Sequence, residues 1–154
     1  MKKILLIILI SIVGLINLYS QKEETDTLVY QTITDFKLDT VAFIRYNFED
    51  RAEAYVGESF GKLMADLNIR PMIMGIGYSL GEEGERLFSG IRLYIQSNNG
   101  GRCYIHISWQ DPQIMPLEAE RLLRKNGMYK WIDDYISIFG EYKIRRVVAN
   151  TPSE

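Results

Sequence analysis

Ile91-Arg92-Leu93-Tyr94-Ile95-Gln96, then Ser97-Asn98-Asn99-Gly100-Gly101, then Arg102-Cys103-Tyr104-Ile105-His106-Ile107-Ser108-Trp109: this stretch decides the fold. On either side of the central turn, apolar and polar residues alternate with a period of two, the pattern of strands that bury one face. Ile91, Leu93 and Ile95 share one face of the first strand, and Cys103, Ile105, Ile107 and Trp109 share one face of the second. Both rows must reach the same core, because a slip of one residue would turn a whole row to water. That requirement sets Leu93 opposite Ile105 and Ile95 opposite Cys103. Such a register needs an odd loop. Asn98-Asn99-Gly100 supplies it, with Gly100 free to take a left-handed conformation.

The same register composes the other face. Arg92 falls beside His106, Tyr94 beside Tyr104, and Gln96 beside Arg102. These six residues are the candidate ligand-binding set. Tyrosine offers a rigid amphipathic ring that can stack on a sugar or glycan, and arginine a planar fork that can grip a carboxylate. Ordinary cross-strand packing is the competing reading, since such pairs stabilise a sheet by about 0.2–1 kcal/mol each.

Working outward, residues 72–78 and 87–96 read as strands joined by the acidic loop Gly81-Glu82-Glu83-Gly84-Glu85. Residues 142–148 read as a closing strand. Over residues 39–55, Val41, Ile44, Phe48, Ala52 and Tyr55 lie on one helical stripe. The β-branched and aromatic residues between 40 and 48 leave a β-rich start as the alternative. Phe60, Leu63, Met64 and Leu67 predict a second helix after Gly57, stopped by Arg70-Pro71. Pro116 suits a first helical position. Glu118 and Glu120 then fall in the first turn and Arg121, Arg124 and Lys125 in the last, complementing the helix dipole. After Asn126-Gly127, Met128, Ile132, Tyr135 and Phe139 predict a further helix closed by Gly140. Its wide apolar stripe, with Trp131 and Ile138, suits burial or a partner surface. Residues 28–36 fit helix or strand. The expected fold is α+β: a mostly antiparallel sheet of about four strands flanked by N- and C-terminal helices, which cover one face and leave the other wet.

The 154 residues make one domain. It is expected over residues 28–149, with a disordered tail at 150–154. Before it come Lys2-Lys3, an apolar run over residues 4–18, and the small residue Ser20. That order is the secretory signal pattern, with cleavage near Ser20 and a flexible leader over 21–27. The run falls short of the roughly 20 residues that span a bilayer. The expected destination is the periplasm or beyond, in a bacterium. The whole chain has a net charge of −2; without Lys2 and Lys3, the 18 basic residues fall to 16 against 20 acidic, a net of −4. Such a domain is a poor partner for nucleic acid, whose affinity rests on phosphate neutralisation. Anionic membrane surfaces are disfavoured for the same reason, leaving an uncleaved signal as the membrane contact.

Gly57-Glu58-Ser59-Phe60-Gly61 fits the G-x-S-x-G elbow of esterases, in which a strained turn exposes the serine. The competing reading is a helix start with Ser59 at its cap. Gly57, Ser59, Phe60, Leu63 and Leu67, followed by strands, also resemble the opening of PASTA modules, which bind cell-wall peptides in exported proteins. The family's opening Val-Pro and its repeat organisation are missing here. His106 is the sole histidine and Cys103 the sole cysteine. Lying on opposite strand faces, they cannot begin a zinc site, and Cys103 reads as a buried small hydrophobe. Glu82, Glu83 and Glu85 read as a solvated loop rather than a calcium loop. No cofactor or metal is expected. The functional expectation is an exported, non-enzymatic binding module of the bacterial envelope, with a protein or a glycan as partner. The rivals are an inhibitor or immunity protein against an envelope enzyme, and a small hydrolase using Ser59 or His106.

Overall fold

A computed structural model of the chain describes residues 28–152, apart from 99 and 128. The expected signal peptide, the leader over 21–27, Met128 and the last two residues lie outside the described residues. Four strands, β1 (Ile73–Leu80), β2 (Arg86–Gln96), β3 (Arg102–Gln113) and β4 (Ile144–Asn150), pair antiparallel in chain order. The fold is α+β, as the alternation of apolar residues requires.

The β2–β3 register is the one that burial of both rows demands. Leu93 pairs with Ile105, Ile95 with Cys103, and Arg92 with His106. The turn closes through Ser97 N–H donating to the Gly101 carbonyl at 3.0 Å, with Gly100 at φ 85°. Beyond Ile91 the simple alternation stops. A bulge between Phe88 and Gly90 lets Phe88 and Ile91, three residues apart, both reach the core. A second bulge, between Ser108 and Trp109, does the same for Ile144 and Val147 of β4. Gly90 is required at the first: a Cβ there would run into the Ile107 carbonyl and stand 3.1 Å from the Ser108 Cα.

Helical segments cover the core face. The first is α1 (Thr40–Ile44), with Asp39 capping it by accepting from the Val41 and Ala42 amides. The single helix expected over 39–55 is broken into three kinds of turn: α1, a π-helical stretch (Arg45–Asp50) and a 3-10 turn (Ala52–Tyr55). Asn47, fully buried inside the π stretch, bonds the Phe43 carbonyl, and exchanges hydrogen bonds with the Gln31 backbone. A polar side chain that competes with the helix ladder loosens it at this point. The same bonds explain residues 28–36, which form neither helix nor strand. Arg51 donates to the Leu28 carbonyl, Tyr46 to that of Val29, and Tyr30 donates to that of Asp66, so side chains replace a backbone ladder.

Helices α2 (Phe60–Leu67), α3 (Leu117–Asn126) and α4 (Asp134–Phe139) complete the layer. Pro116 stands just outside α3 as its cap. The expected helix from 128 shrinks to α4, because residues before it pair with the edge of β1 instead. Met74 N–H donates to the Tyr129 carbonyl at 2.8 Å, and Lys130 bridges to Ile73. The apolar stripe of this segment is nonetheless core, with Trp131, Tyr135 and Phe139 buried. Beneath the sheet, Trp109 meets Phe60 and Phe88 edge-on at 5.6 Å and Tyr142 at 5.4 Å. β4 runs two residues past its expected end, to Asn150, and Thr151 accepts from Arg45, so residues 150 and 151 are not loose tail.

Gly75, on the open face of β1, is crowded far less than Gly90: a Cβ would stand 3.5 Å from the Arg92 Cβ, an ordinary contact. Gly90→Ala is therefore expected to cost about 1–3 kcal/mol, and Gly75→Ala to stay within about 0.5 kcal/mol of wild type, as measured by urea denaturation.

Candidate functional site

The sheet face turned away from the helices is open. Along it stand Ile73, Gly75 and Gly77 of β1, Arg92, Tyr94 and Gln96 of β2, Arg102, Tyr104, His106 and Ser108 of β3, and Arg146, Val148 and Asn150 of β4. Arg92, Gln96, Arg102 and Arg146 are exposed, while Tyr94, Tyr104 and His106 are half-buried against one another. None of these positions is Asp or Glu, although acidic residues outnumber basic ones in the whole chain. The charge of the domain is thus segregated, with a positive face on a negative molecule.

Tyr94 and Tyr104 meet with ring centroids 6.2 Å apart, inclined at 54°. The Arg92 guanidinium lies over the Tyr104 ring at 5.0 Å, close enough for cation–π attraction. Arg92, Arg102 and Arg146 have no carboxylate partner among the described residues. A groove of about 310 Å³ opens where the glycines of β1 leave space, lined by Gly75, Gly77, Arg92, Tyr94, His106 and Tyr129 among others. The Tyr94 ring leans across Gly75, 3.6 Å from where a Cβ would stand.

The structure brings Arg92, Tyr94 and His106 of the sequence-derived set into this groove. Tyr104 stands beside it under Arg92. Gln96 and Arg102 lie at the hairpin end, and Gln96 donates to the Gly101 carbonyl at 3.2 Å. Sequence reasoning missed Tyr129 and Arg146, which only tertiary pairing places here. It also passed over Gly75-x-Gly77, although glycine inside a strand signals a place where something approaches closely.

His106 is held below the ordinary histidine range, by burial first and then by the guanidiniums of Arg92 and Arg146. No carboxylate is among those causes, and a catalytic base would need such a partner to orient its imidazole. Ser59 is equally committed elsewhere. Its hydroxyl caps α2, accepting from the Lys62 amide at 3.2 Å. The flanking glycines have structural duties: Gly57, at φ 82°, and Gly61 pair with the backbone of Ile144 and Gly140. Cys103 is buried in the core, and burial pushes its thiol up. Among the described residues no group of three or more His, Cys, Asp or Glu could hold a metal ion, and no helix is long and apolar enough to cross a membrane.

No known protein family, curated protein or solved structure matches the chain. The likeness of residues 57–67 to a PASTA opening gains no support from these comparisons.

A lowered His106 pKa has a definite sign. The unfolded chain, with histidine near its ordinary value of about 6.5, binds the proton more readily than the folded one. Stability is therefore complete above that value and is lost as pH falls through the lower folded value. Because His106 is the sole histidine, thermal melts of wild type and His106→Gln should diverge between pH 7.5 and 5, wild type losing more. Parallel curves would contradict the burial and charge described here.

Proposed function

We propose that this protein is an exported, non-enzymatic binding module of the bacterial envelope, and that it holds its partner on the open face of the sheet. The observation that carries this reading is the cationic, aromatic face. Arg92, Arg102, Arg146 and His106 share it with Tyr94 and Tyr104, and among the described residues no carboxylate stands beside them and no element covers them. A cluster of like charges repels itself, so it makes functional sense when an anion completes it. Half-buried tyrosines next to arginine also match the residues that dominate binding interfaces. Export rests on Lys2-Lys3, the apolar run over 4–18 and Ser20.

A hydrolase is the weaker reading, because Ser59 is occupied as a helix cap and His106 has no acidic partner among the described residues. An inhibitor or immunity role against an envelope enzyme stays within the binding class. In that case the enzyme would meet the positive face rather than the acidic loop.

The test is capture of partners by the tagged protein from its own envelope after mild cross-linking. Arg92→Ala combined with His106→Ala should reduce recovery of the principal component roughly tenfold, with an unchanged melting profile above pH 7. Replacing Glu82, Glu83 and Glu85 by Gln should leave capture intact. Equal recovery by the Arg92/His106 variant would exclude this face as the binding surface.

A further inference from the structure

The groove beside β1 has a narrower chemistry than the face around it. At about 310 Å³ it lies at the low end of small-molecule sites, enough for one compact unit rather than a folded segment. Gly75 and Gly77 give it a surface without side chains, and Tyr94 and Tyr129 contribute two phenol rings. Phenol rings offer flat apolar faces to the C–H side of a sugar, with a hydroxyl at the rim for its polar edge.

The charge count points further. Arg92 is the one permanent cation among the described residues that line the groove, and the imidazole beside it is pressed toward its neutral form by burial first and then by Arg92 and Arg146. One guanidinium matches a monoanion. Its planar fork fits the two oxygens of a carboxylate, whereas a dianionic phosphate would call for more than one cation. An acidic peptide side chain would satisfy Arg92 but leave the two phenol rings unused.

Resting on the reading of the open face as the binding face, we infer that this groove takes a carboxylate-bearing sugar unit of an acidic polysaccharide. Arg92 receives the carboxylate, Tyr94 and Tyr129 hold the ring, and His106 supplies a hydrogen bond at its edge.

The experiment is a calorimetric and NMR titration of the purified protein with four probes: short glucuronic-acid oligomers, glucose oligomers of equal length, inorganic phosphate and a glutamate-rich peptide. The glucuronic-acid oligomers should bind and shift the resonances of Tyr94, His106 and Tyr129, with the other three much weaker. Arg92→Ala should weaken that binding roughly tenfold or more, Tyr129→Ala should weaken it too, and Lys125→Ala, on α3 and outside the open face, should leave it unchanged. Equal binding of glucose oligomers would remove the carboxylate from the account. Equal binding of phosphate or of the peptide would remove the sugar ring. Binding of none of the probes would overturn the inference, while partner capture that still depends on Arg92 and His106 would leave the open face as the binding surface.

Discussion

The pairing of Leu93 with Ile105 is the constraint on which the rest depends. It is a contact between two fully buried side chains, and its consequence reaches through the sheet to the other side. Because strand side chains alternate, fixing that pair also fixes Arg92 against His106 and Tyr94 against Tyr104. A slip of one residue would send the arginine and the imidazole into a core of Phe60, Phe88 and Trp109, and would cost far more than the domain can lose. The hydrophobic effect therefore holds the polar face together, although no polar contact on that face is strong.

This arrangement lets a small domain keep a cluster of like charges. Burial, and then the positive charges of Arg92 and Arg146, depress His106. The core absorbs that cost, since the face belongs to the strands that carry the largest apolar rows. Acidic residues outnumber basic ones in the chain as a whole, so the cationic face stands out as the side to which an anion would be drawn. The bulges at Phe88/Gly90 and Ser108/Trp109 shape the same face. Each re-aims residues toward the core at one end of a strand pair while the register between Arg92 and Gln96 stays regular. Tyr129 arrives from a separate segment that pairs with the β1 edge, so the groove joins local hairpin residues to one long-range contribution.

Much of this was legible in the sequence, for one physical reason: the period-two alternation between Ile91 and Trp109 is strict, and its odd loop contains a glycine at the required position. The pairing of β2 with β3 and the six face residues follow from it. The sequence was silent where side chains do work that backbone ladders do elsewhere. Asn47 bonds three backbone groups inside the core, and this breaks the helix that apolar spacing predicts over 39–55. Arg51, Tyr46 and Tyr30 hold residues 28–31 in an irregular path for the same reason. Spacing also misled after Met128, where an apolar stripe reached the core through an edge pairing followed by a short helix. Within the candidate site, Arg92, Tyr94 and His106 could be found from register alone. Tyr129 and Arg146 could not, because their positions depend on which edges the final segments meet.

Hydroxyl-radical footprinting of the intact protein at pH 7.5 would test the central claim, that one register divides the hairpin into a dry face and an open binding face. Tyr94, Tyr104 and His106 should be labelled readily, while Phe88, Cys103 and Trp109 should be protected until the protein unfolds. Strong labelling of Cys103 and Trp109 together with protection of Tyr94 and Tyr104 would mean that the opposite face is covered, and would contradict the account.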